Sequence, residues 1–151
     1  SLPIGIVTMS EKAINTNMLQ VLLNDFEEKV RQFYLSLDQK ENNCILVLTS
    51  GTPTTIAAYR RGMNYSNYDP EKINGSFLTL MDCSQTYQEL MDMDESQRAV
   101  YVGVGRELLI ETGILMVESL FKSINMEEAI IIDDGLREGV ALEYFVSNGF
   151  T

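Results

Sequence analysis

Hydrophobic residues recur with two different periods in the first part of the chain. Along residues 2–9, large apolar side chains alternate with other residues, and several side chains are β-branched. This pattern predicts a strand. Over residues 17–37, apolar side chains recur at steps of three and four, while charged residues such as Glu27 and Arg31 take the other positions. That period predicts an amphipathic helix over 17–37. The polar stretch 38–43 is predicted to be a loop.

A short apolar run and a threonine-rich turn follow. The run 45–48, Ile-Leu-Val-Leu, is typical of a parallel strand covered on both faces. It leads into residues 49–55, Thr-Ser-Gly-Thr-Pro-Thr-Thr, and a helix that is predicted to end near Gly62. Thr52 is predicted to cap this helix, and Pro53 suits its first turn because the missing N–H would have no partner there.

The rest of the chain is predicted to be mostly helical. Residues 64–75 are polar and tyrosine-rich, which predicts a surface loop, and Thr79 and Asp82 have the spacing of a capping box before a helix over 80–92. The remaining pattern predicts, in order, a short helix ending near residue 101, an apolar helix over 106–124, a strand over 129–132 and a final helix ending near residue 147. Apolar strands that alternate with helices indicate an α/β fold with parallel pairing.

Composition restricts the possible partners and mechanisms. The 151 residues include 11 basic and 22 acidic residues, giving a formal net charge of −11. Since nucleic-acid-binding surfaces are normally basic, DNA and RNA are not expected as partners. The absence of histidine removes the commonest general base and transition-metal ligand. No apolar run reaches the roughly 18 residues that a membrane span needs, and Cys44 and Cys83 stand alone, so a cytoplasmic protein without a membrane anchor is expected.

The best candidate for a binding site is the junction between strand 45–48 and the next helix. Free backbone N–H groups and the positive end of the helix dipole attract anions at such a junction. Gly51 would let a ligand approach the backbone, and Thr52, Thr54 and Thr55 could add hydroxyl donors. The structural alternative is an ordinary capped helix after a buried strand.

Two other positions also allow a chemical and a structural interpretation. Arg106 stands at the predicted start of helix 106–124, where the dipole disfavours a cation; a bound phosphate would explain it, and so would simple solvation. Asp133 and Asp134 could suggest a metal site, but Asp-Gly after a strand is foremost a turn. The sequence contains no P-loop lysine motif and no Asp-x-Gly-Gly-Gly loop, so it offers no nucleophile with its base.

Several segments, in the same order, resemble the segments of one known protein family. They are residues 1–5, Ser-Leu-Pro-Ile-Gly; residues 51–55, Gly-Thr-Pro-Thr-Thr, with 68–75, which begin Tyr-Asp-Pro; and residues 135–139, Gly-Leu-Arg-Glu-Gly. Residues 106–113 are similar to an arginine-led helix of the same family. In these segments the chain resembles the Ppx/GppA phosphatases, which comprise exopolyphosphatases and guanosine-pentaphosphate phosphohydrolases.

This resemblance implies that residues 1–151 are part of the second lobe of an actin-like ATPase (ribonuclease H-like) fold, an incomplete α/β lobe with apolar parallel strands flanked by helices. It implies that Gly51, Thr52 and Thr55 line the cleft between two lobes, and that Arg106 holds substrate phosphate. Family members remove the terminal phosphate of polyphosphate or guanosine pentaphosphate with Mg²⁺, an acidic base from the first lobe and a phosphate loop in each lobe. For residues 136–139, Leu-Arg-Glu-Gly, the resemblance implies a structural role at the start of a helix that faces the hinge between the two lobes.

The resemblance also implies what this chain lacks. Its phosphate loops, catalytic acid and Mg²⁺ ligands are expected to lie outside the chain, which alone is expected to be inactive and to form the rear cleft wall. Missing strands are expected to leave a gap in the sheet between 2–9 and 45–48, filled by the N-terminal lobe or by a second copy in a homodimer. The alternative is a stand-alone module that binds a phosphate-rich ligand or a protein without catalysis.

Overall fold

The computed structural model describes residues 2–37 and 44–149 of the chain. The predicted loop over 38–43 lies outside the described residues. In chain order the elements are α1 (Ile6–Lys12), α2 (Thr16–Ser36), β1 (Val47–Leu48), α3 (Gly51–Arg60), a 3-10 turn (Tyr65–Asn67), α4 (Pro70–Ile73), β2 (Ser76–Thr79), α5 (Leu80–Met91), α6 (Glu95–Val102), α7 (Ile110–Ile124), β3 (Glu128–Ile131) and α8 (Leu136–Ser147). None of the helices in these two ranges is both long enough and apolar enough to cross a bilayer.

The amino-terminal segment forms helix α1, so the predicted strand over 2–9 is wrong. The Met9 N–H donates to the Gly5 carbonyl at 2.9 Å, the repeat of an α-helix. Within the described ranges no strand lies beside this segment, and a helix pairs backbone groups that a lone strand would leave without partners. Met9 is buried against Leu19 and Leu23 of α2, which fixes the helix on the body of the protein.

A continuous three-stranded sheet, in the order β1-β3-β2, forms the centre of the fold. β1 pairs with β3 in parallel, with Leu48 beside Ile131, which confirms the predicted parallel arrangement. β2 pairs with β3 antiparallel and was not predicted, because Ser76–Thr79 is too short to show a period. The expected gap between a first strand and β1 is not found in the described sheet, since that first strand is a helix.

Several helix boundaries also differ from expectation. α3 begins at Gly51 with Ser50 as its N-cap, so the predicted cap at Thr52 is wrong. α7 begins at Ile110, and residues 106–109 form a turn before it. The predicted loop over 64–75 contains the 3-10 turn and α4. Helices α2, α5, α6 and α8 are confirmed, as is the capping box at the start of α5.

The main core lies between one face of the sheet and helices α3, α5 and α7. Phe121 and Ile114 of α7 and Ile56 of α3 are fully buried there. The inward-facing sheet residues alternate along the strands, as a sheet covered on one face requires. They are Leu48, Leu78, Ala129 and Ile131. A large apolar area is thereby removed from water, which is the main stabilising contribution to the fold.

The opposite face of the sheet is uncovered by the described residues. Val47 of β1 is 48% exposed and Phe77 of β2 is 56% exposed. Helix α8 likewise exposes Leu142 and Val146. Large exposed apolar patches are typical of interaction surfaces and of ligand grooves.

The two cysteines provide a test of the core packing. Cys83 is fully buried, and burial raises its pKa to about 12, whereas Cys44 is exposed. Because the thiolate is the reactive form, iodoacetamide at about pH 8 should label Cys44 and leave Cys83 unlabelled until denaturant is added. Peptide mass spectrometry measures both sites, and equal labelling rates in the native protein would contradict this packing.

The capping box of α5 makes a second prediction. The Asp82 N–H donates to the Thr79 hydroxyl at 3.1 Å, and the Thr79 N–H donates to the Asp82 carboxylate at 2.9 Å. Thr79→Ala should lower the free energy of unfolding by about 1 kcal/mol, because an orphan helix N–H loses its acceptor. Thr79→Ser keeps the hydroxyl and should lose less than half as much. Urea unfolding compares the variants, and equal losses would rule out the hydroxyl as the cause.

Candidate functional site

The four residues predicted to bind phosphate line one cavity at the amino-terminal end of α3. This cavity, the α3 cavity, has a volume of about 200 Å³ and contains Gly51, Thr52, Thr55 and Arg106 in its wall. The rest of the wall is apolar and consists of Ile6, Val7, Val102, Leu109 and Ile110. Arg106 and Gly51 are 55 positions apart in the sequence. The fold brings Arg106 to the start of α3, the helix start that the sequence analysis favoured as a binding site.

The end of α3 offers backbone donors because of how the chain leaves β1. Ser50 is extended, with φ −115° and ψ 165°, and the helix begins immediately after it. The first helical hydrogen bond runs from the Thr54 N–H to the Ser50 carbonyl at 3.3 Å. The N–H groups of Gly51 and Thr52 precede that bond, so the helix supplies no acceptor for them, and Pro53 has no N–H. Two N–H groups and the helix dipole thus define an anion-attracting end.

A glycine-containing turn places Arg106 beside this end. Gly103 and Gly105 have φ of +90° and +83°, which lets the chain reverse tightly between α6 and α7. A Cβ on Gly51 would lie 4.0 Å from the Arg106 Nη1, so the guanidinium stands next to the first residue of α3. Arg106 is exposed and forms no salt bridge with any carboxylate in the described ranges. Its charge is available to a ligand.

Tyr65 supports the arginine from the 3-10 turn. The Arg106 Cζ lies 6.0 Å from the centre of the Tyr65 ring, at the outer limit of a cation–π contact. The same ring packs on Gly103, where a Cβ would lie 2.8 Å from the ring Cε2. Glycine at 103 therefore allows the chain to reverse and leaves room for the Tyr65 ring to pack on its backbone.

The hydroxyls of Thr54 and Thr55 are engaged within the fold, so in this conformation they are not the free donors that the sequence suggested. The Thr55 hydroxyl donates to the Gly51 carbonyl at 2.7 Å, and the Thr54 hydroxyl donates to the same carbonyl at 3.1 Å. Each hydroxyl has a single proton, so neither offers one to a ligand in this conformation. Thr52 is buried against α7, where a Cβ on Gly113 would lie 2.5 Å from its Oγ1. Thr52 therefore positions α3 through packing.

A second cavity, the tyrosine cavity, shares Gly51, Thr55 and Arg106 with the first and has a volume of about 470 Å³. Three of its six other wall residues are tyrosines; the six are Thr54, Ala58, Tyr65, Tyr68, Tyr101 and Asp133. Burial raises the pKa of Tyr68 to about 12, and the nearby Asp133 carboxylate adds to the rise. Sequence reasoning missed this cavity, although the density of tyrosines in the 64–75 segment was a usable signal.

The structural interpretation of Asp133 and Asp134 fits the geometry. The Asp133 N–H donates to the Asn74 Oδ1 at 2.6 Å, and the Asn74 Nδ2 donates to the Asp134 carboxylate at 3.2 Å. These bonds tie the connection between β3 and α8 to the end of α4. Across residues 2–37 and 44–149, no group of three or more His, Cys, Asp or Glu residues is arranged to hold a metal ion.

Comparison with known proteins identifies the family. The sequence model of the Ppx/GppA phosphatase family matches residues 1–147. The chain belongs to the Ppx/GppA phosphatase family. The resemblance seen in the sequence motifs is thereby confirmed. No curated protein sequence matches this Ppx/GppA chain significantly.

Solved structures show the same fold. A Ppx/GppA family member from Aquifex aeolicus superposes with a TM-score of 0.77 at 23% identity, over 99% of this chain and 49% of that one. Another Aquifex aeolicus structure, of the PPX-GPPA enzyme, gives 0.76 at 25% identity, over 94% and 48%. An exopolyphosphatase from Cytophaga hutchinsonii gives 0.60 at 20% identity, over 97% and 42%. The α/β chain thus has the actin-like ATPase architecture of these proteins and spans about half their length.

The contact between α3 and α7 makes a third prediction. Gly113→Ala forces a Cβ to within 2.5 Å of the Thr52 Oγ1, and should lower the free energy of unfolding by about 1–3 kcal/mol through overpacking. In a Thr52→Ala background the same change should cost less than half as much, because the opposing atoms are gone. Gly139→Ala on α8 is the matched control, since its Cβ would meet nothing within 4 Å. Equal costs of Gly113→Ala in both backgrounds, by urea unfolding, would exclude this contact.

Proposed function

We propose that this chain is part of the second lobe of a cytoplasmic phosphohydrolase that removes the terminal phosphate from inorganic polyphosphate or guanosine pentaphosphate. The observation that carries the proposal is the unpaired Arg106 guanidinium beside the amino-terminal end of α3, in a chain of the Ppx/GppA phosphatase family. Phosphate oxygens are the ligands that such an arginine and helix end favour together. The chain's span of about half its relatives' length supports its assignment as one lobe of two.

In this proposal the chain binds and orients phosphate and leaves the attack on phosphorus to groups elsewhere in the protein. The N–H groups of Gly51 and Thr52 and the guanidinium of Arg106 contact the phosphate oxygens. Thr55 closes the wall of the α3 cavity next to them. Positioning and charge stabilisation account for most of the catalysis of phosphoryl transfer, so a wall of this kind contributes directly to rate.

Mg²⁺ is the metal that we propose for the whole enzyme, where it would neutralise charge on the phosphates. Among the described residues no three His, Cys, Asp or Glu side chains are arranged to hold a metal ion. In this proposal the ligands of the ion come from the other lobe, and the chain alone is inactive.

The uncovered apolar surfaces support the proposed partner. Val47 and Phe77 on the open sheet face, and Leu142 on α8, are exposed in this chain. The first lobe, or a second copy of the chain in a homodimer, would remove them from water. The unpaired cysteines suit the reducing cytoplasm.

The proposal predicts a selective loss of activity at Arg106. In the two-lobed enzyme with Mg²⁺ and tripolyphosphate, Arg106→Ala should lower kcat/KM about ten- to a hundredfold, the value of one charge-assisted contact to phosphate. Arg31→Ala removes an exposed arginine of α2 and should leave kcat/KM unchanged. Phosphate release is the measurement.

Two results would contradict this proposal. If the two-lobed protein released no phosphate from tripolyphosphate or from guanosine pentaphosphate, it would not be an enzyme of this class. If the 151-residue chain bound tripolyphosphate as tightly as the two-lobed protein does, a stand-alone binding module would be favoured instead.

A further inference from the structure

We propose that the open edge of β2 and the hollow beside it bind an extended segment of another protein, one that carries apolar and basic side chains. The residues involved line neither the α3 cavity nor the tyrosine cavity, so the inference is independent of the proposed function. Three features carry it: backbone groups directed at the open edge, exposed apolar side chains next to them, and carboxylates without a basic partner.

The backbone of Phe77 faces away from the sheet. β2 ends the described sheet on one side, since the strand order is β1-β3-β2. The Ile130 N–H donates to the Leu46 carbonyl at 2.9 Å, so residue 130 of β3 directs its backbone groups toward β1 and away from β2. Phe77 lies opposite Ile130 in the antiparallel pair. Both members of such a pair point away from each other, and the Phe77 N–H and C=O therefore face the open edge.

Apolar side chains next to this edge are exposed. Phe77 is 56% exposed, and Met81 in the first turn of α5 is 68% exposed. A hollow of about 680 Å³, the edge hollow, lies beside them. Its wall consists of Thr79, Leu80, Met81, Ser84, Glu127 and Glu128. A partner that covers these side chains gains affinity from the apolar area removed from water. Val47 lies on β1 at the opposite edge of the sheet and is left to the other lobe.

The backbone around the edge hollow is held in place. The Leu80 N–H donates to the Glu127 carbonyl at 3.1 Å, which ties the start of α5 to the start of β3. Asn125 ends α7 in the left-handed conformation, with φ 52° and ψ 46°. The Met126 N–H then donates to the Phe121 carbonyl at 3.1 Å. A surface that is already formed loses little conformational entropy when a partner binds.

The charges of the edge hollow select a basic partner. Glu127 and Glu128 are exposed, and neither forms a salt bridge with a lysine or an arginine of residues 2–37 and 44–149. The wall of the hollow contains no basic side chain from these ranges. The net charge of −11 adds attraction for a basic segment at longer range. An acidic segment is repelled both by the wall and by the chain as a whole.

The strand pairing also predicts the spacing within the partner. Side chains two residues apart on a strand share a face, so Phe77 and Thr79 lie on the open face, as does Glu128 opposite Thr79. A segment added to the edge pairs with the Phe77 backbone and places an apolar side chain beside that ring. The side chain two positions further along stands beside Thr79. Because threonine is small, a lysine or an arginine there reaches across it to Glu128.

A peptide library tests the proposal without a known partner. Random hexapeptides are displayed and selected on the two-lobed protein, and the enriched sequences should contain an apolar residue and a lysine or arginine two positions apart. Fluorescence anisotropy then measures the affinity of the best synthetic peptide. Phe77→Thr should weaken its binding about tenfold, because a central apolar contact is lost. Phe33→Thr removes a similarly exposed phenylalanine of α2 (49% against 56%) and should leave the affinity unchanged.

Charge and backbone pairing are tested separately with the same peptide. Glu127→Gln together with Glu128→Gln should weaken binding about three- to tenfold, the value of two exposed ion pairs. Glu71→Gln together with Glu95→Gln changes the net charge equally at exposed positions outside the hollow and should have little effect. N-methylation of each peptide residue in turn should reveal one N–H whose loss weakens binding about tenfold, while its neighbours tolerate the change.

Several results would overturn this inference. A selection that enriches no peptide, or only peptides without basic residues, would remove the proposed partner chemistry. Affinity that survives Phe77→Thr, or that falls equally with both pairs of glutamate substitutions, would place the peptide away from the β2 edge. A dimer that Phe77→Thr converts to a monomer, by mass measurement in solution, would assign the edge to a second copy of the chain. Phosphate release at the Arg106 site is measured independently of all these outcomes.

Discussion

The contact between α3 and α7 is the constraint on which the candidate site depends. Thr52 packs where Gly113 leaves room, since any Cβ there would lie 2.5 Å from the threonine oxygen. This close approach sets where the start of α3 lies relative to the turn that precedes α7. A larger residue at 113 would push the two helices apart and move Arg106 away from Gly51. Packing between two helices therefore determines the geometry of a polar site.

This arrangement also explains how a strongly acidic chain can offer a site for an anion. A net charge of −11 repels phosphate at long range, so a phosphate site must be local. The structure places one unpaired arginine at a helix end, where two backbone N–H groups and the dipole act in the same direction. Tyr65 supports this arginine and also borders the tyrosine cavity. The same aromatic ring thus lies beside Arg106 and in the wall of the tyrosine cavity.

The apolar surfaces are exposed because the helices of the chain cover only one face of the sheet. One face of the three-stranded sheet is covered by α3, α5 and α7, and the other face leaves Val47 and Phe77 in water. Relatives about twice as long contain further structure, which in our proposal covers this face. In our proposal the same missing lobe that covers this sheet face also supplies the catalytic groups.

The sequence by itself determined most helices, the parallel arrangement of the apolar strands and the family, because these depend on local period, on element order and on short motifs. It was wrong about residues 2–9, where β-branched residues favoured a strand but the part of the chain that the structure describes places no strand beside them. It placed Thr52 and Thr55 at the site as donors, whereas their side chains serve packing and the helix backbone. The proximity of Gly51 to Arg106, and the placement of Tyr65 and Asp133 in the wall of one cavity, were decided only by the tertiary structure. These residues lie far apart in the chain, and no local pattern encodes a distance that arises from the packing of whole helices.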